Sequence, residues 1–230
     1  MPFAPLPPPL SAELLALRTQ LPLKPATVTL TGQTVQLVPL VLERDAEALF
    51  KVSNGEPVTL GKHTVAAYDA EELIWRYLFA GPFADLAAFK AYVQPQLAAP
   101  NGLCMCVLDQ ASGQPLGMTN FMNNSPENLK IELGGIWYSP LVQRTHANTE
   151  ATYLMLNHAF TLGYQRLEWK CNALNERSRR AAVRMGFQFE GLQESHMIIK
   201  DRNRDTAWFR ILANEWPTVK LHLETYLYKQ

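Results

Sequence analysis

Along this 230-residue chain the spacing of apolar side chains switches repeatedly between the two-residue period of a strand and the three-to-four-residue period of a helix. The first ten residues are rich in proline and predict an extended lead-in, after which Ser11 is placed to cap a short helix over Ala12 to Gln20. Thr27 to Leu30 and Thr34 to Leu40 are β-branched runs separated by Thr31-Gly32-Gln33, which reads as a hairpin that Pro39 ends. Glu43 to Val52 carries acid at its start and sets Leu42, Ala46, Leu49 and Phe50 on one helical face. A loop with Asn54-Gly55-Glu56-Pro57 follows. Tyr68 to Phe79, with Leu73, Ile74, Tyr77 and Leu78 at helical spacing, predicts a helix ending at Gly81-Pro82; Phe83 to Ala99 predicts a second, with Pro95 near its end.

The second half alternates more regularly. Cys104 to Leu108 and Leu116 to Met122 read as strands joined by a hairpin over Asp109 to Pro115, and Ile131 to Tyr138 as a strand that Pro140 stops. A polar loop leads to a helix over Thr149 to Leu162, with Asn148 as a favourable N-cap and Gly163 as its end. Arg166 to Cys171 is a further strand, and Asn175 precedes a basic helix that stops at Gly186. Residues 187–199 and 205–212 form two strands around Asp201-Arg202-Asn203, and Glu215 to Lys229 closes the chain as a helix with Trp216, Val219, Leu223 and Leu227 inward. Interleaved strands and helices predict a mixed α/β domain over 27–230, preceded by a proline-rich extension at 1–26.

Composition narrows the class. With 47% hydrophobic and 18% charged residues the chain can bury a large core. Its 21 basic and 21 acidic residues cancel, so nothing points to a nucleic-acid or membrane surface that works by bulk charge. Cys104, Cys106 and Cys171 have no metal-ligand spacing, and their apolar neighbours predict buried thiols of a reducing compartment, the cytoplasm by default. The opening stretch lacks a basic n-region and is broken by proline, so it reads as neither signal peptide nor membrane span.

Candidate chemistry concentrates between Ile131 and Ala159. Free N–H groups at a helix start suit a phosphate, and Gln143 and Arg144 add donors; an ordinary strand-to-helix turn fits the same pattern. Glu132 on its strand suits either a general base or an ion pair across the sheet, with Glu168 in reserve. Neither His146 nor His158 is spaced with a second ligand, so no metal is assigned. Trp137, Tyr138, Trp169 and Trp208 suit an acceptor site or a core, and Arg177, Arg179, Arg180 and Arg184 a phosphate clamp or a solvated face.

The order of these features resembles the GNAT acetyltransferase superfamily, and within it the branch of the ribosomal-protein alanine and serine N-acetyltransferases. Glu132 to Trp137, Gln143 to Glu150, His158-Ala159-Phe160, Asn175 with Ser178, Met185-Gly186-Phe187, Glu190-Gly191, Asp205-Thr206 and Glu215-Trp216-Pro217 carry the resemblance, over roughly residues 30 to 220.

The resemblance implies an acyl-CoA N-acyltransferase fold: a central mixed, mostly antiparallel sheet, splayed in the middle and flanked by helices. It implies acetyl transfer from acetyl-CoA to a primary amine through a ternary complex, the amine being a protein N-terminus or a small molecule. A longer acyl donor is also allowed, as is either a monomer or a homodimer. The coenzyme would meet Tyr138, Gln143, Arg144, Thr145, His146, Ala147, Asn148, Thr149, Asn175 and Ser178. Arg144 and His146 stand where the family usually has glycines, and Asn148 replaces a small residue, which shifts the phosphate path outward with Arg144 supplying charge. Glu132 is the implied base. Many relatives place a tyrosine acid where this chain has Ala182, so Ser178 is the implied proton donor to the thiolate. The altered loop leaves one alternative, a catalytically inactive binding or sensor module on the same fold.

Overall fold

A computed structural model describes residues 5–229. Helix α1 (Ala12–Gln20) starts where expected, with the Ser11 hydroxyl accepting from the Leu14 N–H. It buries none of its own residues, but Arg18 donates to the Glu127 carbonyl, and Asn124 holds the carbonyls of Pro22 and Leu23 just beyond. β1 (Leu30–Thr31) and β2 (Val35–Pro39) form the expected hairpin, with β1 reduced to two residues, and α2 (Leu42–Lys51) follows.

The stretch from 52 to 83 departs from the sequence reading. A small hairpin, β3 (Val58–Leu60) with β4 (His63–Val65), occupies what reads as loop, turning at Gly61, whose φ of +57° suits glycine. The helix expected over Tyr68 to Phe79 shrinks to a five-residue π-helical turn, Glu71–Trp75. Tertiary packing is the reason. The side chain this segment buries completely is Trp75, whose Nε1 donates to the Ser53 carbonyl at 2.8 Å and whose ring meets Phe83, Phe89, Tyr92 and Trp137. Leu73, Ile74, Tyr77 and Leu78, the periodic positions, are only half-buried.

The remaining elements are α3 (Leu86–Ala98, capped by Asp85), β5 (Leu103–Asp109), β6 (Pro115–Ser125), β7 (Lys130–Tyr138), α4 (Ala147–Thr161), β8 (Arg166–Asn172), α5 (Glu176–Arg184), β9 (Gln188–Ile199), β10 (Arg202–Leu212) and α6 (Trp216–Tyr228). Eight strands form one sheet in the order β1-β2-β5-β6-β7-β8-β10-β9. Every neighbouring pair in it is antiparallel except β7 with β8, which is parallel because α4 supplies the crossover between them. The mixed, mostly antiparallel α/β class expected from the sequence holds.

Alternation along the strands assigns the two faces. Phe121 meets His158 of α4, and the Trp169 indole donates to Ser178 of α5, so this face lies under α4, α5 and α6. Trp137 meets Trp75 and Phe89 on the opposite face, beneath the π-helical turn and α3. All three cysteines are buried, and burial pushes their thiols up, Cys104 to about 11. No helix among the described residues is long and apolar enough to cross a membrane.

Candidate active site

The parallel pair β7–β8 is short. Its register runs from Lys130 opposite Arg166 to Leu133 opposite Trp169 and then stops. Beyond that point β7 stays with β6 through Gly134, Trp137 and Tyr138, while β8 stays with β10 through Lys170, Cys171 and Asn172. The two strands therefore part in the middle of the sheet. Gly135 adopts a φ of +59° at an irregularity in the β6–β7 register, and a Cβ there would strike the Asn120 side chain, so glycine is required where β7 bends away.

Glu132 and Glu168 stand side by side across the last paired stretch, on the face opposite α4 and α5. Glu132 is 6% exposed; its Oε2 accepts from Asn123 Nδ2 and from Lys170 Nζ, each at 2.7 Å. Lys170 also reaches Glu168 Oε2 at 3.1 Å, and its ammonium lies 4.0 Å from the centroid of the Trp208 ring. Burial would raise the Glu168 carboxyl, but the Arg166 hydrogen bond and the Lys170 and Lys130 charges outweigh it and hold the group below its ordinary value. Of the two functions offered by the sequence for Glu132, the ion pair across the sheet is present, and the carboxylate lies on the last paired stretch before the opening.

The loop and helix start above the opening are arranged differently from the sequence expectation. The N-cap position of α4 is His146, without a side-chain cap bond; Asn148 lies inside the first turn, its Oδ1 accepting from Thr152. The reason is that Thr145 caps instead, its Oγ1 accepting from the Ala147 N–H at 3.2 Å and donating to the Val142 carbonyl at 2.7 Å. Gln143 points inward and donates to the carbonyls of Leu73 and Tyr138, so its amide is committed to the fold. Arg144 is exposed with a φ of +64°, and the His146 ring packs 4.9 Å from Tyr226 of α6. The N–H groups of Asn148 and Thr149 belong to the first turn and have no carbonyl four residues back within the helix.

Across the opening, Asn175 caps α5, its Oδ1 accepting from the Ser178 N–H at 3.1 Å. The Ser178 Oγ accepts from Trp169 Nε1 at 3.0 Å, and its hydroxyl proton faces the Cys171 sulfur. Trp137 and Trp169 are core residues, whereas Trp208 is half-buried on the face carrying Lys170. The arginines of α5 are largely paired: Arg177 with Glu72, and Arg179 and Arg180 with Glu176.

The fit to an acyl-CoA rests on these features. The strands open where a thioester chain would pass, α4 begins without a side-chain cap from its N-cap residue, and the Tyr138 hydroxyl and Thr149 Oγ1 are buried without a partner among the described residues. The residues fit, with Gln143 as the exception. Sequence reasoning missed three participants. Lys170 was available from the two-residue alternation after Glu168; Asn123, at a φ of +48°, and Tyr226, 80 positions from His146, had no local signal.

The fold and this opening define an acyltransferase of the acetyl-CoA-dependent kind. Residues 35–188 match the family model described as "Acetyltransferase (GNAT) domain". The chain is 38% identical to a GCN5-related N-acetyltransferase from Brucella melitensis, with a TM-score of 0.80 over 89% of this chain and 87% of that one. It is 34% identical to a probable GNAT-family acetyltransferase from Chromobacterium violaceum, with a TM-score of 0.79 over 94% of this chain and 99% of that one. At 15% identity and a TM-score of 0.66 it shares the fold of a Salmonella typhimurium acetyltransferase that modifies the N-terminal serine of ribosomal protein L7/L12, over 80% of this chain and 99% of that one. No curated protein matches the sequence. The chain belongs to the GNAT acetyltransferase family, whose members transfer an acetyl group from acetyl-CoA to an amine.

Proposed function

We propose that this enzyme acetylates a primary amine directly, a protein N-terminus or a small-molecule amine, in a ternary complex and without a covalent acyl-enzyme. The observation that carries the reading is the buried Glu132 carboxylate, held between Asn123 and Lys170 at the edge of the opening between β7 and β8. Acetyl-CoA supplies the activated acyl group as a thioester. The N–H groups of Asn148 and Thr149 and the Arg144 charge bind its pyrophosphate, and Asn175 and Ser178 bind toward its pantetheine end. Glu132 accepts a proton from the attacking ammonium, directly or through water, and Lys170 and Asn123 orient the carboxylate for it. Ser178 Oγ, already accepting from Trp169, holds the proton for the departing sulfur. Likeness in fold to enzymes acting on ribosomal-protein N-termini supports including a protein N-terminus among the acceptors.

Calorimetric titration with acetyl-CoA tests the reading, with wild type beside Asn175→Ala and Ser178→Ala, followed by an amine panel with Glu132→Gln as control. Binding weakened by Asn175→Ala, and turnover lost in Glu132→Gln, are expected. Absence of binding even at millimolar coenzyme would remove the proposal.

A further inference from the structure

The face of the sheet that carries Glu132 is crowded with charge, and nearly every cation on it has a carboxylate. Lys170 has Glu132 and Glu168, Arg166 has Glu168 and Glu190, and Arg210 has Glu190 and Glu215. Arg204 does not. It sits on β10, on the same strand face as Trp208, and is 6% exposed. Its Nε has no partner among the described residues, and its guanidinium makes no ion pair among them; it lies 4.8 Å from the centroid of the Phe79 ring. Burial pulls the guanidinium below its ordinary affinity for protons, against the charge of Glu132. A buried donor left without an acceptor is costly, and a cation–π contact returns only part of that cost.

Phe79 follows the π-helical turn, and Lys200, in the β9–β10 turn, binds Glu71 and the Trp75 carbonyl of the same segment. Arg204 is thus enclosed where two separate parts of the chain meet beside the Glu132 face. Trp208 Nε1, roughly 13 Å along the strand from the rise per residue, and Trp137 Nε1 are further buried donors without a partner on that face among the described residues, and Asn120 Oδ1 is a buried acceptor without one. At Arg204 and Trp208 the free groups are donors, so the complement there is a ligand that brings oxygen acceptors and, at Arg204, negative charge.

We infer that Arg204 binds a carboxylate of the acceptor, so that the amine acetylated here belongs to an amino acid or a peptide with an acidic side chain rather than to a polyamine or another purely cationic amine. The inference rests on the acetyltransferase reading above, which it makes specific. A planar guanidinium suits a carboxylate bidentately, and a pocket lined to recognise that group discriminates strongly against an acceptor lacking it.

The test uses pairs of amines that differ in one carboxylate: tyrosine with tyramine, glutamate with γ-aminobutyrate, and the peptide amides Ser-Asp-Gly and Ser-Asn-Gly. Thiol release is followed for wild type, Arg204→Lys and Arg204→Met, with the melting temperature read for each amine and acetyl-CoA affinity by calorimetry. Wild type should favour at least one carboxylate member by about tenfold or more in kcat/KM. Arg204→Met should erase that preference through KM while leaving acetyl-CoA affinity unchanged, and Arg204→Lys, which keeps charge and most of the volume, should retain part of it. If Arg204→Met does not fold, the partial loss in Arg204→Lys decides. Equal use of both members by wild type, an undiminished preference in the variants, or weakened acetyl-CoA binding in the variants would overturn the inference. Should wild type fail to bind acetyl-CoA, the acetyltransferase reading falls by itself. The melting shift still decides this inference: a carboxylate amine must stabilise wild type and not the variants, and no such shift overturns it.

Discussion

Lys170 Nζ and Glu132 Oε2 lie 2.7 Å apart on adjoining strands, one residue to either side of the last register pair, Leu133 with Trp169, where β7 and β8 part. The ion pair therefore closes the floor of the opening. The carboxylate neutralises a buried ammonium there, and in the function proposed above it also receives the proton of the acceptor amine.

Glu132→Gln is expected to lower kcat by about a hundredfold, the usual contribution of a general base, while leaving acetyl-CoA affinity intact. Lys170→Met tests the structural half of the pair. It leaves Glu132 without an ammonium partner at a nearly buried position and should cost about 3 kcal/mol in urea unfolding. Equal stability in Lys170→Met would show that the pair contributes little to the fold.

Glu150, in the first turn of α4, anchors that helix to the rest of the fold. Its carboxylate accepts from the N–H groups of Gln33, Thr34 and Val35 and from the hydroxyls of Thr34 and Tyr228, joining α4 to the β1–β2 turn and to the end of α6. Glu150→Ala strands those donors and should cost about 3 kcal/mol of unfolding free energy. Glu150→Gln should recover only part, because its amide nitrogen would face donors. Full recovery by glutamine would refute the anchoring account.

Acid should destabilise the fold in two stages. Burial holds His158 below its ordinary value, so the unfolded chain takes up a proton first and stability falls as pH drops below about 6.5. Glu150 and Glu168 are also lowered in the fold: burial opposes this, but hydrogen bonds and, for Glu168, lysine charges prevail. Their contribution is present above the unfolded carboxylate value and is lost as pH falls from there through the lowered folded values. Melting temperatures from pH 8 to 2 should show both limbs, and His158→Gln should flatten only the first.

Asn175→Ala removes the cap of α5 and should cost about 1 kcal/mol. Ser178→Ala deprives the Trp169 indole of its acceptor, so a change in tryptophan fluorescence should accompany reduced turnover. An active Ser178→Ala enzyme would assign the proton donor elsewhere.

Much of this molecule was legible in one dimension. The strands from Cys104 to Leu212, the Ser11 and Asn175 caps, the Gly163 and Gly186 helix ends and the final helix follow from period and turn chemistry, which act within a few residues. Glu132 could be singled out from its place on a strand, whereas Asn175 and Ser178 were marked as site residues by the resemblance to the GNAT superfamily. Tertiary structure decided the rest through partners far apart in the chain. Trp75, packed on Ser53 and Trp137, turned an expected helix into a π turn; Leu73 took Gln143 from the loop above the opening; Lys170 took Glu132. Arg204 shows the limit most plainly, because a lone arginine on a strand reads as solvated, and only the enclosing fold leaves it buried and unpaired. Burial and pairing over such separations are properties of the closed structure, set by which surfaces exclude water together, and no local pattern encodes them.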